Sequence, residues 1–147
     1  MTIVTVVLAC HEAAAADDAG LGTFIEKRCY TCHTIAARAA DVEKAKAAFV
    51  KEQGVEPAGE DAEEEKDKRG GDLSDVGKKR QPDWLKTFLK NPKPTFKDDA
   101  NCQREAKKKD RKKFKGTDQE FDTLVSFLMT LKQEAKQPAG FTSCLKE

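Results

Sequence analysis

The 147-residue chain holds 27 Lys and Arg against 26 Asp and Glu, a formal net charge of +1 at pH 7, which excludes a global pull toward nucleic acid or an anionic membrane. Any electrostatic recognition must therefore be local. The chain is 38% apolar and 36% charged, which is lean for one domain of this size that buries only its own side chains. A large apolar cofactor would fill that gap, since each ~100 Å² of its face covered contributes about 2.5 kcal/mol.

Thr2 to Ala9 is an apolar run that ends in Val7-Leu8-Ala9-Cys10, a sequence that resembles the lipobox of bacterial lipoproteins. Cys10 is thus a candidate lipid anchor to a membrane, the alternative being an ordinary thiol in a cleaved leader. Eight apolar residues cannot span a bilayer and match a short signal-peptide core. The charged segment expected ahead of such a core is missing, so either the numbering starts inside a longer leader or the segment is not a leader. Export is the expectation. Residues 13–20 read as a small, acidic tether, so residues 1–19 are assigned to leader and tether and residues 20–147 to one domain.

Leu21, Phe24 and Ile25, followed by Cys29 and Cys32, recur at helical steps, with the cysteines at the helix end. A second helix is expected over residues 36–53, where Val42, Ala45, Phe49 and Val50 keep register. Residues 55–71, with Pro57, Gly59 and seven acidic residues between Glu56 and Asp67, read as an inserted acidic loop, taken as about 54–71. Pro82 opens and Asn91-Pro92 closes a short helix bearing Trp84, Leu85, Phe88 and Leu89. A long basic stretch, residues 94–116, leads to a final helix over about 117–136, with Phe121, Leu124, Val125, Leu128 and Leu131 on one face. Strand alternation is missing, so the expected class is all-α.

Cys29-Tyr30-Thr31-Cys32-His33 has the spacing for covalent attachment of haem c: two thiols reach the two vinyl groups and the next imidazole meets the iron. Zinc would need a second ligand pair, and a thioredoxin-type dithiol would need a βαβ context; the chain offers neither. The expectation is one haem.

From about Gly20 to Leu131 the sequence resembles the class I c-type cytochromes. The resemblance rests on Gly20-x-x-x-Phe24, Asp72-Leu73-x-x-Val76-Gly77, Trp84-Leu85-x-x-Phe88-Leu89 and Phe127-Leu128-x-x-Leu131. It implies a cytochrome c-like fold whose N- and C-terminal helices cross around the haem, with Gly20 and Phe24 against Leu124, Phe127 and Leu128. The family usually has proline two residues before Leu73, with its carbonyl accepting the proximal histidine's proton. Here Gly71 stands there, and any backbone carbonyl can accept that proton. Arg80 and Trp84 are placed like residues that contact haem propionates; for Trp84, plain core packing is the alternative.

The family's second iron ligand is a methionine before the last helix, yet residues 93–117 contain neither Met nor His. Cys102 is the soft ligand in that loop and the candidate sixth ligand beside His33. A Cys102–Cys144 disulfide, favoured in an oxidising compartment, is the alternative, with His11, a loop lysine or an open site as further options. The run from Arg104 to Lys115, with eight basic and two acidic residues, could steer docking to an acidic redox partner; a solvated loop explains it equally. Nucleic-acid binding is not expected. The expected function is that of a periplasmic or otherwise extracytoplasmic one-electron carrier without catalytic turnover. The alternative is a His/Cys-ligated haem protein that binds NO or CO, as a sensor or a complex subunit.

Overall fold

The computed structural model describes residues 11–54, 70–108, 112–136 and 139–147, with the side chains of residues 11–16 outside that description. The apolar leader, Cys10, most of the acidic loop and the His11 side chain thus lie outside the described residues. Among the described residues six α-helices follow in order: α1 (His11–Glu26), α2 (Ala39–Gln53), α3 (Val76–Lys79), α4 (Pro82–Lys90), α5 (Ala100–Ala106) and α6 (Asp118–Thr130). Two two-residue strands, β1 (His33–Thr34) and β2 (Gly71–Asp72), pair in parallel. The architecture is all-α. Among the described residues no helix is long and apolar enough to cross a membrane.

The crossing of α1 and α6 forms the centre. Leu21, Phe24 and Ile25 of α1 and Leu124, Phe127 and Leu128 of α6 are all buried in one cluster. The helices approach closely because Gly20 lacks a side chain: a Cβ there would overlap the Phe127 side chain and come within 2.9 Å of the Thr123 carbonyl oxygen. The first helix starts well before Leu21, inside the segment read as a tether. Its alanines, the best helix formers, outweigh the acidic residues among them.

The last helix is fixed at its start by a reciprocal cap, in which Thr117 Oγ1 accepts from the Glu120 N–H (3.2 Å) and Glu120 Oε2 accepts from the Thr117 N–H (2.6 Å). Its end comes at Thr130 rather than near Lys136, because the following backbone bonds elsewhere. The Gly77 N–H donates to the Leu131 carbonyl (2.8 Å) and the Gln133 N–H to that of Ser74 (2.9 Å). The Lys136 N–H donates to the Asp72 carboxylate (2.7 Å). These bonds replace the helical ladder that the side-chain pattern alone would continue.

A second apolar cluster joins Phe96, Ala106, Ala139, Phe141 and Leu145, with Trp84 packed against both clusters. It includes α5, which lies in the stretch read only as basic; Asp99 caps it by accepting from the N–H groups of Asn101 (3.1 Å) and Cys102 (2.9 Å). The C-terminal tail returns alongside residues 95–97. Phe96 and Leu145 form an antiparallel bridge, the Lys97 N–H donates to the Cys144 carbonyl, and the Lys146 N–H donates to that of Thr95, both at 2.8 Å.

Candidate functional site

Arg28 ends the first helix in the left-handed region (φ 55°) and turns the chain into the Cys29–Thr31 turn. Thr31 Oγ1 donates to the Arg28 carbonyl at 2.8 Å and holds that turn. Cys29 and Cys32 are half-buried free thiols. Burial pushes the Cys29 thiol up to about 11, so in the unmodified chain it is protonated at neutral pH, and its chemistry is that of a sheltered thiol rather than a ready thiolate.

His33 follows in β1, opposite Gly71 of β2. The adjoining glycines meet two separate demands. A Cβ at Gly70 would overlap Cε1 and Nδ1 of the His33 ring and lie 2.7 Å from the Cys32 carbonyl oxygen, so only bare backbone fits against that edge of the imidazole. Gly71 has φ +72°, a conformation that proline cannot adopt. The departure from the usual proline therefore has a local cause: the chain passes the imidazole in a left-handed turn.

The next residue, Asp72, ties three segments together. Its Oδ1 accepts from the Ala36 N–H (3.1 Å), the Ser74 N–H (3.0 Å) and Ser74 Oγ (2.6 Å), while Oδ2 accepts from the Lys136 N–H. Ser74 Oγ in turn accepts from the Ala37 N–H (3.0 Å). Burial alone would raise the Asp72 carboxyl, but the bonds from Ser74, Lys136 and Ala36 outweigh it and hold the group below its ordinary range. The backbone after His33, the β2 segment and the chain after α6 thus share one buried anion.

A cleft of about 140 Å³ opens where the two apolar clusters meet. Its lining includes His33, Gly70, Leu73, Val76 and Leu128 together with Phe88, Ala139, Phe141 and Leu145. Arg80 and Trp84 line the same cleft. The Arg80 guanidinium stacks 4.3 Å from the Trp84 ring, and both donate to the Lys146 carbonyl, Arg80 at 2.9 Å and Trp84 Nε1 at 3.2 Å. The structure therefore joins these two side chains to the C-terminal tail.

Cys102 does not stand in the cleft as a ligand. Its sulfur is bonded to that of Cys144 at 2.03 Å, and a sulfur so bonded has no thiolate to offer iron. The expectation of Cys102 as sixth ligand is corrected in favour of the disulfide, which the fold brings about by setting α5 beside the returning tail.

The residues fit a covalently held porphyrin. Two free thiols precede the histidine, the glycine cradle leaves room for its ring alone, and the cleft beside it is walled by apolar side chains. A family model described as Cytochrome c matches residues 18–132. The chain belongs to the cytochrome c family. It is thus a haem-binding protein of the electron-carrier type, and the family's cofactor is haem c. No curated protein and no solved structure matched the chain.

Two parts of the site escaped sequence reasoning. The Asp72–Ser74 knot sits inside a recognised motif, and the Asp-x-Ser spacing was its visible signal, since such side chains bond backbone two residues on. The tail residues Ala139, Phe141 and Leu145 lie outside the span matched by the family and carry no periodic signal; only the fold brings them to the cleft.

Proposed function

We propose that this cytochrome carries one haem, bound through Cys29 and Cys32 with His33 on the iron, and that it transfers single electrons in an extracytoplasmic compartment without turning over a substrate. The observation that carries this reading is the Gly70 cradle, which packs bare backbone against the Cε1 and Nδ1 edge of His33 and so fixes the imidazole that directly follows the two cysteines. The haem would supply a reversible one-electron couple. The polypeptide's part is to fix the imidazole, exclude water from the cleft with apolar walls and keep the couple close to the surface. Arg80 and Trp84 are the donors this chain offers to haem propionates, in place of or alongside the Lys146 carbonyl.

Two observations support the compartment. The Cys102–Cys144 disulfide suits an oxidising environment, and members of the family are typically extracytoplasmic. The lipobox-like Cys10 is consistent with a lipid anchor. For docking, exposed lysines at 107, 108, 112, 113 and 115 form a basic surface suited to an acidic redox partner. It adjoins the cleft, because the Phe114 N–H donates to the Leu89 carbonyl (2.8 Å) and Leu89 lines the cleft. An optical redox titration tests the central function: a single reversible one-electron transition supports it, and a haem spectrum that does not respond to potential contradicts it.

A second reading is favoured by one observation. The tail supplies Ala139, Phe141 and Leu145 to the cleft, side chains with no iron-ligating atom, so the tail itself would leave the iron a position for a small ligand such as CO or NO. Ferrous protein that binds CO stoichiometrically supports this reading, and protein that is inert to CO removes it.

A further inference from the structure

The tail after residue 132 lies beyond the span matched by the family, yet Ala139, Phe141 and Leu145 form part of the cleft's lining. Several contacts hold it. The Cys102–Cys144 disulfide joins it to α5 across 42 residues of sequence. The Lys97 and Lys146 N–H groups pair it with residues 95–97. Arg80 and Trp84 both grip the Lys146 carbonyl, and Phe141 stacks on Phe96 with ring centroids 5.9 Å apart. Apart from the disulfide, these are hydrogen bonds, an exposed Lys146–Asp98 ion pair (3.3 Å) and modest apolar contacts, with Phe96 fully buried and Phe141 and Leu145 each 8% exposed.

We propose that residues 139–147 form a cap, locked by the Cys102–Cys144 disulfide, that governs the entry of small uncharged ligands to the haem face of the cleft. The lining the cap supplies is Ala139, Phe141, Thr142 and Leu145, mostly apolar and without a charged group, which suits a neutral diatomic molecule better than an anion, because an unpaired charge brought against it would lose its hydration. The covalent tie is what keeps so short a segment closed, since a terminal segment without one samples open states at low cost. A dithiol reductant opens it: two electrons and two protons pass to the disulfide, giving Cys102 and Cys144 thiols, and the dithiol leaves as its own disulfide. The tail then moves free of α5 and the cleft opens where Ala139, Phe141, Thr142 and Leu145 line it.

The inference rests on the cleft being the haem site, and the test separates the two. Ferrous holoprotein is mixed with CO and its rebinding followed after flash photolysis, with the disulfide intact, opened by excess dithiol, and closed again by oxidation; thiol labelling and mass measurement report the state of the bond. Opening is expected to speed CO binding about tenfold or more, with recovery on reoxidation. The double variant Cys102→Ser/Cys144→Ser should match the opened protein without dithiol, and Leu145→Ala should raise the rate with the disulfide intact. Equal rates in the closed and opened protein overturn the cap while leaving the haem site standing, and so does a protein that binds no CO in either state. A chain that takes up no haem overturns the site itself, which absorption reports before any CO is added. Should the double variant fail to fold, the dithiol-treated wild type decides.

Discussion

Ser74 Oγ lies 2.6 Å from Asp72 Oδ1 in a pocket where Ser74 is fully buried, and this pair links the backbone beside His33 to the chain that leaves the last helix. The carboxylate accepts four hydrogen bonds and is 6% exposed. Hydrogen bonds to a buried charge contribute about 1.5–3 kcal/mol each, and orphaned donors cost more. Asp72→Ala is therefore expected to lower unfolding stability by about 3 kcal/mol, measured by denaturant titration. An unchanged midpoint would show that the knot is incidental.

The same group sets a pH dependence. Its folded pKa is depressed, so the stability it contributes is present above the unfolded carboxyl value and is lost as pH falls through the lower folded value. Wild-type stability should hold down to about pH 4 and fall below it, whereas Asp72→Asn should be less stable at neutral pH and lose less on acidification. Parallel acid titrations of the two proteins check this.

At the crossing of the first and last helices, Gly20→Ala places a methyl group into the Phe127 side chain. Overpacking of this kind costs about 1–3 kcal/mol. Thermal unfolding of Gly20→Ala beside the half-buried control Gly22→Ala, where a Cβ meets nothing within 4 Å, separates the steric effect from helix propensity, which by itself favours alanine.

Gly70→Ala is expected to displace the His33 ring, while Gly71→Ala strains the backbone at φ +72° by about 1–2 kcal/mol with the ring in place. Spectra of the ferric proteins distinguish them. Gly70→Ala should alter the low-spin signature or the haem absorption, and Gly71→Ala should change stability with little spectral effect.

The legible parts of this chain were those encoded locally. Cys29, Cys32 and His33 stand adjacent, Pro82 and Asn91-Pro92 bracket α4, and Thr117 with Glu120 marks the start of α6. What stayed hidden depends on partners far away in sequence. The polar α5 is held by its Asp99 cap and by Cys144, 42 residues from Cys102. The last helix stops early because Gly77, Ser74 and Asp72 bond the following backbone. Arg80 and Trp84 carried a recognisable placement, yet their shared acceptor, the Lys146 carbonyl, lies more than 60 residues away.

Docking through the basic surface gives a salt signature. The rate of electron transfer to an acidic partner should fall as ionic strength rises, over the range in which the Debye length shrinks from about 30 Å at 0.01 M to about 10 Å at 0.1 M. Lys112→Glu/Lys113→Glu should flatten that dependence and leave the reduction potential in place. Stopped-flow measurement across salt concentrations reads both effects.

The most direct test of the account is the intact mass of the chain produced in a host that attaches haem c, followed by peptide mapping. The account predicts the mass of the polypeptide plus one haem, with the haem on the peptide that holds Cys29, Cys32 and His33, and Cys102 joined to Cys144. Free, alkylatable thiols at Cys29 and Cys32 in that protein would contradict it.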